Sequence, residues 1–173
     1  MKTRQFNKYE VDGRTAVVDI STKKHPNSSM EIDLDQWLKL LDMGIGRVSN
    51  NGQYAQSRLN GVAQQIHKLI TPNFKRNVDH INHNRLDNKL SNLRDSTYGE
   101  NNRNQSLRKD NTSGICGISK REGKRRTTWR AMVWADGTNR TLGTFDTVEE
   151  AIAARAAANV RYGFSANHGK ARA

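Results

Sequence analysis

The first clear alternation along the chain is at Ala16, Val18 and Ile20, with Val17 and Asp19 between them. A period of two predicts a strand, turned through Lys23 to Ser29 and paired with Met30 to Leu34. The spacing then becomes helical over QWLKLLDMG, with Asp33 or Asp35 as the cap and Gly44 as the stop. Trp37, Leu38, Leu40 and Leu41 supply the buried face of that helix. Asn50-Asn51-Gly52 marks a turn between Gly46-Arg47-Val48 and the stretch from Tyr54 to Leu59, and Asn60-Gly61 marks a second. A short helix from Gln64 to Ile70 follows, with Ile66, Leu69 and Ile70 inward. These segments make a small N-terminal packing unit.

Val78 to His80 reads as a strand end, with Phe74 ahead on the same apolar side. Residues 82–91 are polar and turn-rich, Leu93 reopens an extended run to Thr97, and Tyr98 to Gln105 can turn as a helix. From Asn104 to Gly114 the chain is polar and charged, which predicts a linker. Beyond it, Ile115 to Lys120, Thr127 to Ala135 and Thr138 to Gly143 read as three strands, the last two joined by an Asp136-Gly137 hairpin. Thr147 to Gly163 is a helix whose apolar stripe uses Ala151, Ile152, Ala154, Ala158 and Tyr162. Alternation in the long strand turns Trp129, Ala131 and Val133 toward that helix, and Thr128, Arg130, Met132 and Trp134 away from it.

Charge changes this picture from a fold to a partner. The 173 residues carry a net charge of +12 and are only 34% hydrophobic, so the cores are small and a polyanion is the expected ligand. Between Arg103 and Arg130 nine basic residues face two acidic ones, a net +7, which marks a strip for phosphate contact. No apolar run approaches the ~20 residues of a membrane-spanning helix, and no basic amphipathic helix carries an aromatic face. Nucleic acid is therefore favoured over a membrane. A single cysteine, Cys116, excludes an internal disulfide and paired Cys-x-x-Cys zinc clamps, and reads as a small strand residue. MKTRQFNKYEV lacks the apolar stretch of a secretory signal, which points to the cytosol.

The stretch VDHINHNRLDNKLSNLRDSTYGENNRN, Val78 to Asn104, carries the chemistry. Asp79-His80 precedes Asn92 by 13 residues from Asp79, and Asn101 follows 9 further on. A carboxylate and an amide oxygen suit Mg²⁺, which keeps several waters. A neutral imidazole beside them can deprotonate an attacking water.

This stretch resembles the HNH endonuclease motif in the form found in phage homing endonucleases: VDHINHNRLDNKLSNLR, then ENNRN. The resemblance implies Asp79 and Asn101 as ligands of one divalent metal ion, Mg²⁺ or Mn²⁺, with His80 as general base. It also implies that Asn92 orients His80 by hydrogen bonding. Position 83 is usually small in the family and is His83 here, read as a solvated loop residue. His67 stands where the family often has a histidine, and a supporting role is expected, by packing or by phosphate contact.

The C-terminal unit resembles the plant ethylene-response-factor (APETALA-type) DNA-binding domain. The shared positions include Asn111-Thr112-Ser113-Gly114, Trp129-Arg130-Ala131, Leu142 to Thr147, Glu150-Ala151 and Tyr162-Gly163. In that family a three-stranded sheet enters the major groove and the helix braces its back, so Thr128, Arg130, Met132 and Trp134 are expected to face DNA, flanked by Lys120, Arg121 and Arg140. Arg103, Arg108, Lys109, Arg125 and Arg126 complete the expected phosphate contacts. Met132 and Trp134 depart from the arginine-rich plant face.

The fold expected is α+β: an N-terminal hairpin and helix region (1–63), a ββα-metal HNH core (64–105), a basic linker (106–114) and a three-stranded antiparallel sheet packed on one helix (115–173). The function expected is metal-dependent hydrolysis of double-stranded DNA at a specific site, nicking one strand with double-strand cleavage as the variant. The chain implies no protein partner and is expected as a monomer sooner than a dimer, phage-encoded and acting in the bacterial cytoplasm. The rival from another class is a DNA-binding regulator with a relic nuclease core. An RNA-binding module ranks last, because the paired aromatic stacking strand of the common single-strand RNA modules is missing.

Overall fold

The computed structural model describes residues 6–170; the outermost bounds of the expected domains, 1–5 and 171–173, lie outside the described residues. The chain forms two compact units, one up to Thr97 and one from Tyr98 onward. It is of mixed α and β type, with several small antiparallel sheets and, among the described residues, four α-helices.

The first unit begins with β1 (Tyr9–Asp12), β2 (Thr15–Asp19) and β3 (Ser29–Asp33), an antiparallel sheet with β2 central. Ala16, Val18, Ile20, Met30 and Ile32 are wholly buried on one face, as the alternation predicts. β1 was not legible, because all four of its residues are exposed and leave no period-two signal. Helix α1 (Leu34–Asp42) buries Trp37 and Leu40 against this sheet. Leu38 is exposed instead of buried, since its place on the helix lies about 100° round from Trp37. Neither Asp33 nor Asp35 caps the helix: Asp33 occupies the N-cap position but its carboxylate accepts from the Leu90 N–H at 2.7 Å, and Asp35 pairs with Lys39.

A second sheet follows: β4 (Val48–Asn50), β5 (Ala55–Leu59) and β6 (Val62–Gln65). Asn60-Gly61 joins β5 to β6 with both residues at positive φ, 51° and 81°, the geometry of a tight two-residue hairpin. Gln64 and Gln65 therefore stay in β6, and helix α2 starts later than expected, at Ile66–Ile70. Strands β7 (Asn77–His80) and β8 (Leu93–Ser96) then pair antiparallel around the long loop 81–92.

That loop is built from side chains imitating backbone. The carboxamide oxygen of Asn82 accepts from the Asn84 N–H, and that of Asn84 from the Leu86 N–H. The loop also covers the free edge of β3: Glu31 N–H donates to the Leu86 carbonyl and Asn88 N–H to the Glu31 carbonyl, at 2.9 and 2.7 Å. Leu86, Val78, Phe74 and Leu93 join the same apolar core as Trp37 and Ile66.

In the second unit, α3 (Tyr98–Asn102) precedes a sheet ordered β11-β10-β9. Its strands are β9 (Ile118–Glu122), β10 (Thr127–Ala135) and β11 (Thr138–Phe145). The first strand begins later than expected because Gly117 sits at φ 74°. Helix α4 (Val148–Arg161) opens with a reciprocal capping box between Thr147 and Glu150 and packs on β10 and β11. Ala131, Val133 and Ala135 are buried toward it with Ala151 and Ala158. Ile152, expected in that stripe, is exposed; the position one turn beyond Ala151 is Arg155, buried and donating to the Met132 carbonyl. The stretch expected to be a linker is tied to the C-terminal segment, with Leu107 N–H donating to Lys170 and Gly169 N–H to Gln105. Among the described residues no helix is long and apolar enough to cross a membrane.

Candidate active site

Asp79 and His80 end β7, where strand pairing fixes their directions. Asp79 lies directly across from Arg94 of β8, and the guanidinium donates twice to one carboxylate oxygen, Oδ2, at 2.7 and 3.0 Å. Both Asp79 and His80 are buried. The His80 imidazole packs at 5.1 Å edge-on to that of His67, with the Tyr54 ring 5.1 Å from His67 and 6.1 Å from His80. Arg85 lies 4.6 Å over the Tyr54 ring and donates to the Gln53 amide oxygen.

Burial pushes the His80 pKa down, as does the charge of Arg85; the Asn88 hydrogen bond and the Asp79 and Asp87 carboxylates push it back up. The net direction is downward, so the imidazole is neutral at physiological pH. For His67 burial again leads, joined by His80, Lys68 and Arg85, and the pKa falls to about 4. Of the two supporting roles expected of His67, the structure shows packing: it is 4% exposed.

The amide beside the imidazole is not the one expected. Asn92 Nδ2 donates to the Asp87 carbonyl at 2.8 Å and its oxygen accepts from the Asn82 N–H at 2.9 Å, so Asn92, at the end of the loop, ties down its start and its middle. The amide oxygen at His80 Nε2, at 3.4 Å, belongs to Asn88, which is 1% exposed. Asn88 Nδ2 donates to the Leu86 carbonyl, which turns the amide oxygen toward the ring. An amide oxygen only accepts, so this contact favours the tautomer protonated at Nε2, with the lone pair on Nδ1.

His83 corrects another expectation. It is buried, at φ 68°, and its Nε2 has no hydrogen-bond partner. A left-handed backbone is adopted most readily by glycine. Asn101 lies on α3, in the second unit, half-buried.

Compared with protein-family models, curated proteins and solved structures, the chain matches none.

Register sorts the expected DNA-contacting residues. Arg121 pairs with Thr128, and Trp134 with Asn139, on the sheet face away from α4; Trp134 is 66% exposed. Arg130 shares that face and donates to Thr141 Oγ1 at 2.7 Å. Lys120 and Arg140 do not flank it. They sit opposite Trp129 and Val133, on the α4 side, and pair with Glu122 and Asp136. The expectation failed because alternation within one strand carries no register for its neighbours. Arg108 and Arg126 are exposed but paired with Asp110 and Asp146. Lys109 and Arg125 are exposed, and Arg103 is half-buried just past α3.

The residues missed at the site are Arg94, Asn88, Tyr54 and Arg85. Arg94 had a signal, a basic residue on the strand expected to pair with that of Asp79. Tyr54 had none, as it comes from a different hairpin.

Proposed function

We propose that this chain is a metal-dependent HNH-type homing endonuclease that hydrolyses phosphodiester bonds in double-stranded DNA, nicking one strand as a monomer. Its setting on this reading is phage-encoded, in the cytoplasm of a bacterial host. The observation that carries the reading is the Asp79-His80 pair at the end of β7. There a carboxylate stands beside a buried imidazole that burial keeps neutral and Asn88 supports.

The donor chemistry fits a hard ion. Among the described residues no three His, Cys, Asp or Glu side chains gather as a cage. One carboxylate and one amide are the sparse oxygen set that suits an ion keeping its own waters. Mg²⁺ or Mn²⁺, held through oxygens of Asp79 and, by the resemblance, Asn101, would stabilise charge building on the phosphate and the leaving 3′ oxygen. Neutral His80 takes a proton from the attacking water, Asn88 holds the ring in its working tautomer, and Arg94 restricts how the Asp79 carboxylate can turn. The outer face of β9–β11, with Arg121, Arg130 and Trp134, would lie on the duplex.

The engagement of Asp79 by Arg94 favours a second reading, a DNA-binding regulator with a relic core. Supercoiled plasmid separates the two. Open circles formed with Mg²⁺ or Mn²⁺, absent with chelator and absent for His80→Ala, are expected of the nuclease; plasmid that stays intact yet shifts in a gel refutes it.

A further inference from the structure

We infer that the polar face of β4 and β5 is a second phosphodiester-binding site, placed on the unit that carries Asp79 and His80. Every DNA contact considered so far, apart from the buried His67, belongs to the second unit. The site is a cavity of about 710 Å³. Ser49, Gln56 and Arg58 line it from β4 and β5, Arg47 from the residue just ahead of β4, and Phe6 and Asn7 from the N-terminal segment.

The strand register explains why these side chains converge. Val48 pairs with Ser57 and Ser49 with Gln56. Continuing one step places Arg47 opposite Arg58, and the Arg47 carbonyl accepts from Ser57 Oγ at 2.7 Å, which holds the backbone there. By the period of two, Arg47, Ser49, Gln56 and Arg58 then share one face, while Ala55 and Ser57 are buried on the other. Two like charges directly across a ladder destabilise it. Lys39, Lys89 and Arg94 of this unit pair with Asp35, Glu31 and Asp79. Among the described residues Arg47 and Arg58 have no carboxylate partner, Arg58 donating only to the Gly61 carbonyl at 3.2 Å, and no Asp or Glu lines the cavity.

An anion between the guanidinium groups would convert that repulsion into two charge-assisted contacts. Ser49 and Gln56 add neutral hydrogen-bonding groups beside it, and Phe6 closes one wall, its ring set against Gly46, where no larger residue fits. Phosphate oxygens match this set. On the proposed reading the ligand is the duplex being cut, so the nuclease unit grips DNA itself and does not rely wholly on the second unit for registration.

The test uses the full chain. Arg47→Gln/Arg58→Gln is compared with wild type by fluorescence anisotropy on a labelled duplex over a salt series, without divalent metal. Losing two phosphate contacts should make the slope of log affinity against log salt shallower by about 1.8, at ~0.9 per contact. Arg47→Lys/Arg58→Lys should keep most of the slope, and thermal unfolding of both variants should match wild type. An unchanged slope and affinity overturns the inference. So does a loss seen only with single-stranded RNA, or only in binding inorganic phosphate at constant ionic strength. Plasmid assays keep the two claims apart: wild type that nicks with an unchanged variant slope sinks this site alone, and wild type that never nicks while the slope falls sinks the nuclease reading alone.

Discussion

His67 makes the first unit sensitive to acid. Its imidazole is neutral when folded, with a pKa of about 4 where an unfolded histidine has 6.5. Above pH 6.5 neither state binds the proton and stability is at its full value. As pH falls below 6.5 the unfolded chain protonates first, so stability drops until about pH 4, below which both states are charged. At ~1.36 kcal/mol per pH unit the interval is worth about 3 kcal/mol. That is a sizeable part of a typical domain's 5–15 kcal/mol. The assay is urea unfolding between pH 7.5 and 4.5, followed by Trp37 in a Trp129→Phe/Trp134→Phe background, so that the signal reports the first unit. His67→Phe is the comparison, because it keeps a ring against Tyr54 and His80 and removes the titration. The wild type should lose about 2–3 kcal/mol more than His67→Phe over that range. Equal losses in the two proteins, or a folded-state His67 titration near 6.5 by NMR, would refute the reasoning.

Asn92→Ala should cost about 2–4 kcal/mol in urea unfolding, because it leaves the Asn82 N–H and the Asp87 carbonyl without their clamp. Asn88→Ala should lower the nicking rate more than it lowers plasmid affinity; equal loss of both would show that it serves only the loop. A double-mutant cycle on Asp79→Asn and Arg94→Gln should give a coupling of about 1–2 kcal/mol, discounted because Arg94 is partly exposed, and additivity would deny the pair. Gly117→Ala should destabilise the second unit by about 2 kcal/mol or more, since a Cβ there would stand 2.5 Å from the Met132 carbonyl at positive φ. Trp134→Ala should leave thermal unfolding unchanged and weaken duplex binding; unchanged binding would remove the outer face from the interface.

What the sequence disclosed tracks how local each determinant is. β2, β10, α1 and α4 were legible because period two or period 3.6 repeats over several burial-sorted positions, and the Asn60-Gly61 and Asp136-Gly137 turns carry their own backbone preference. β1 was not, because an exposed edge strand has no hydrophobic period. The placing of Lys120 and Arg140 failed for a related reason: which face they share depends on register across a hairpin, and register is a property of two strands. At the site, the adjacency of Asp79 and His80 was readable outright, whereas the Tyr54, His67 and Arg85 wall around His80 comes from segments brought together only by the core.

The Asn-rich loop shows why residue type alone misassigned a role. Four amides lie between β7 and β8, and any of them could face an imidazole by composition. The division is set by which backbone groups the loop leaves unsatisfied. Asn82 and Asn84 each satisfy an N–H two residues on, so they are committed to the turns. Asn92, at the far end, is the one that reaches both an N–H near the start and a carbonyl at the middle, so it closes the loop. Asn88 is anchored differently, by its own backbone N–H to the Glu31 carbonyl on the edge of β3. Its side chain is thereby left for His80. The Asn88 contact to the imidazole is thus tied to the N-terminal sheet, through the Glu31 carbonyl on the edge of β3.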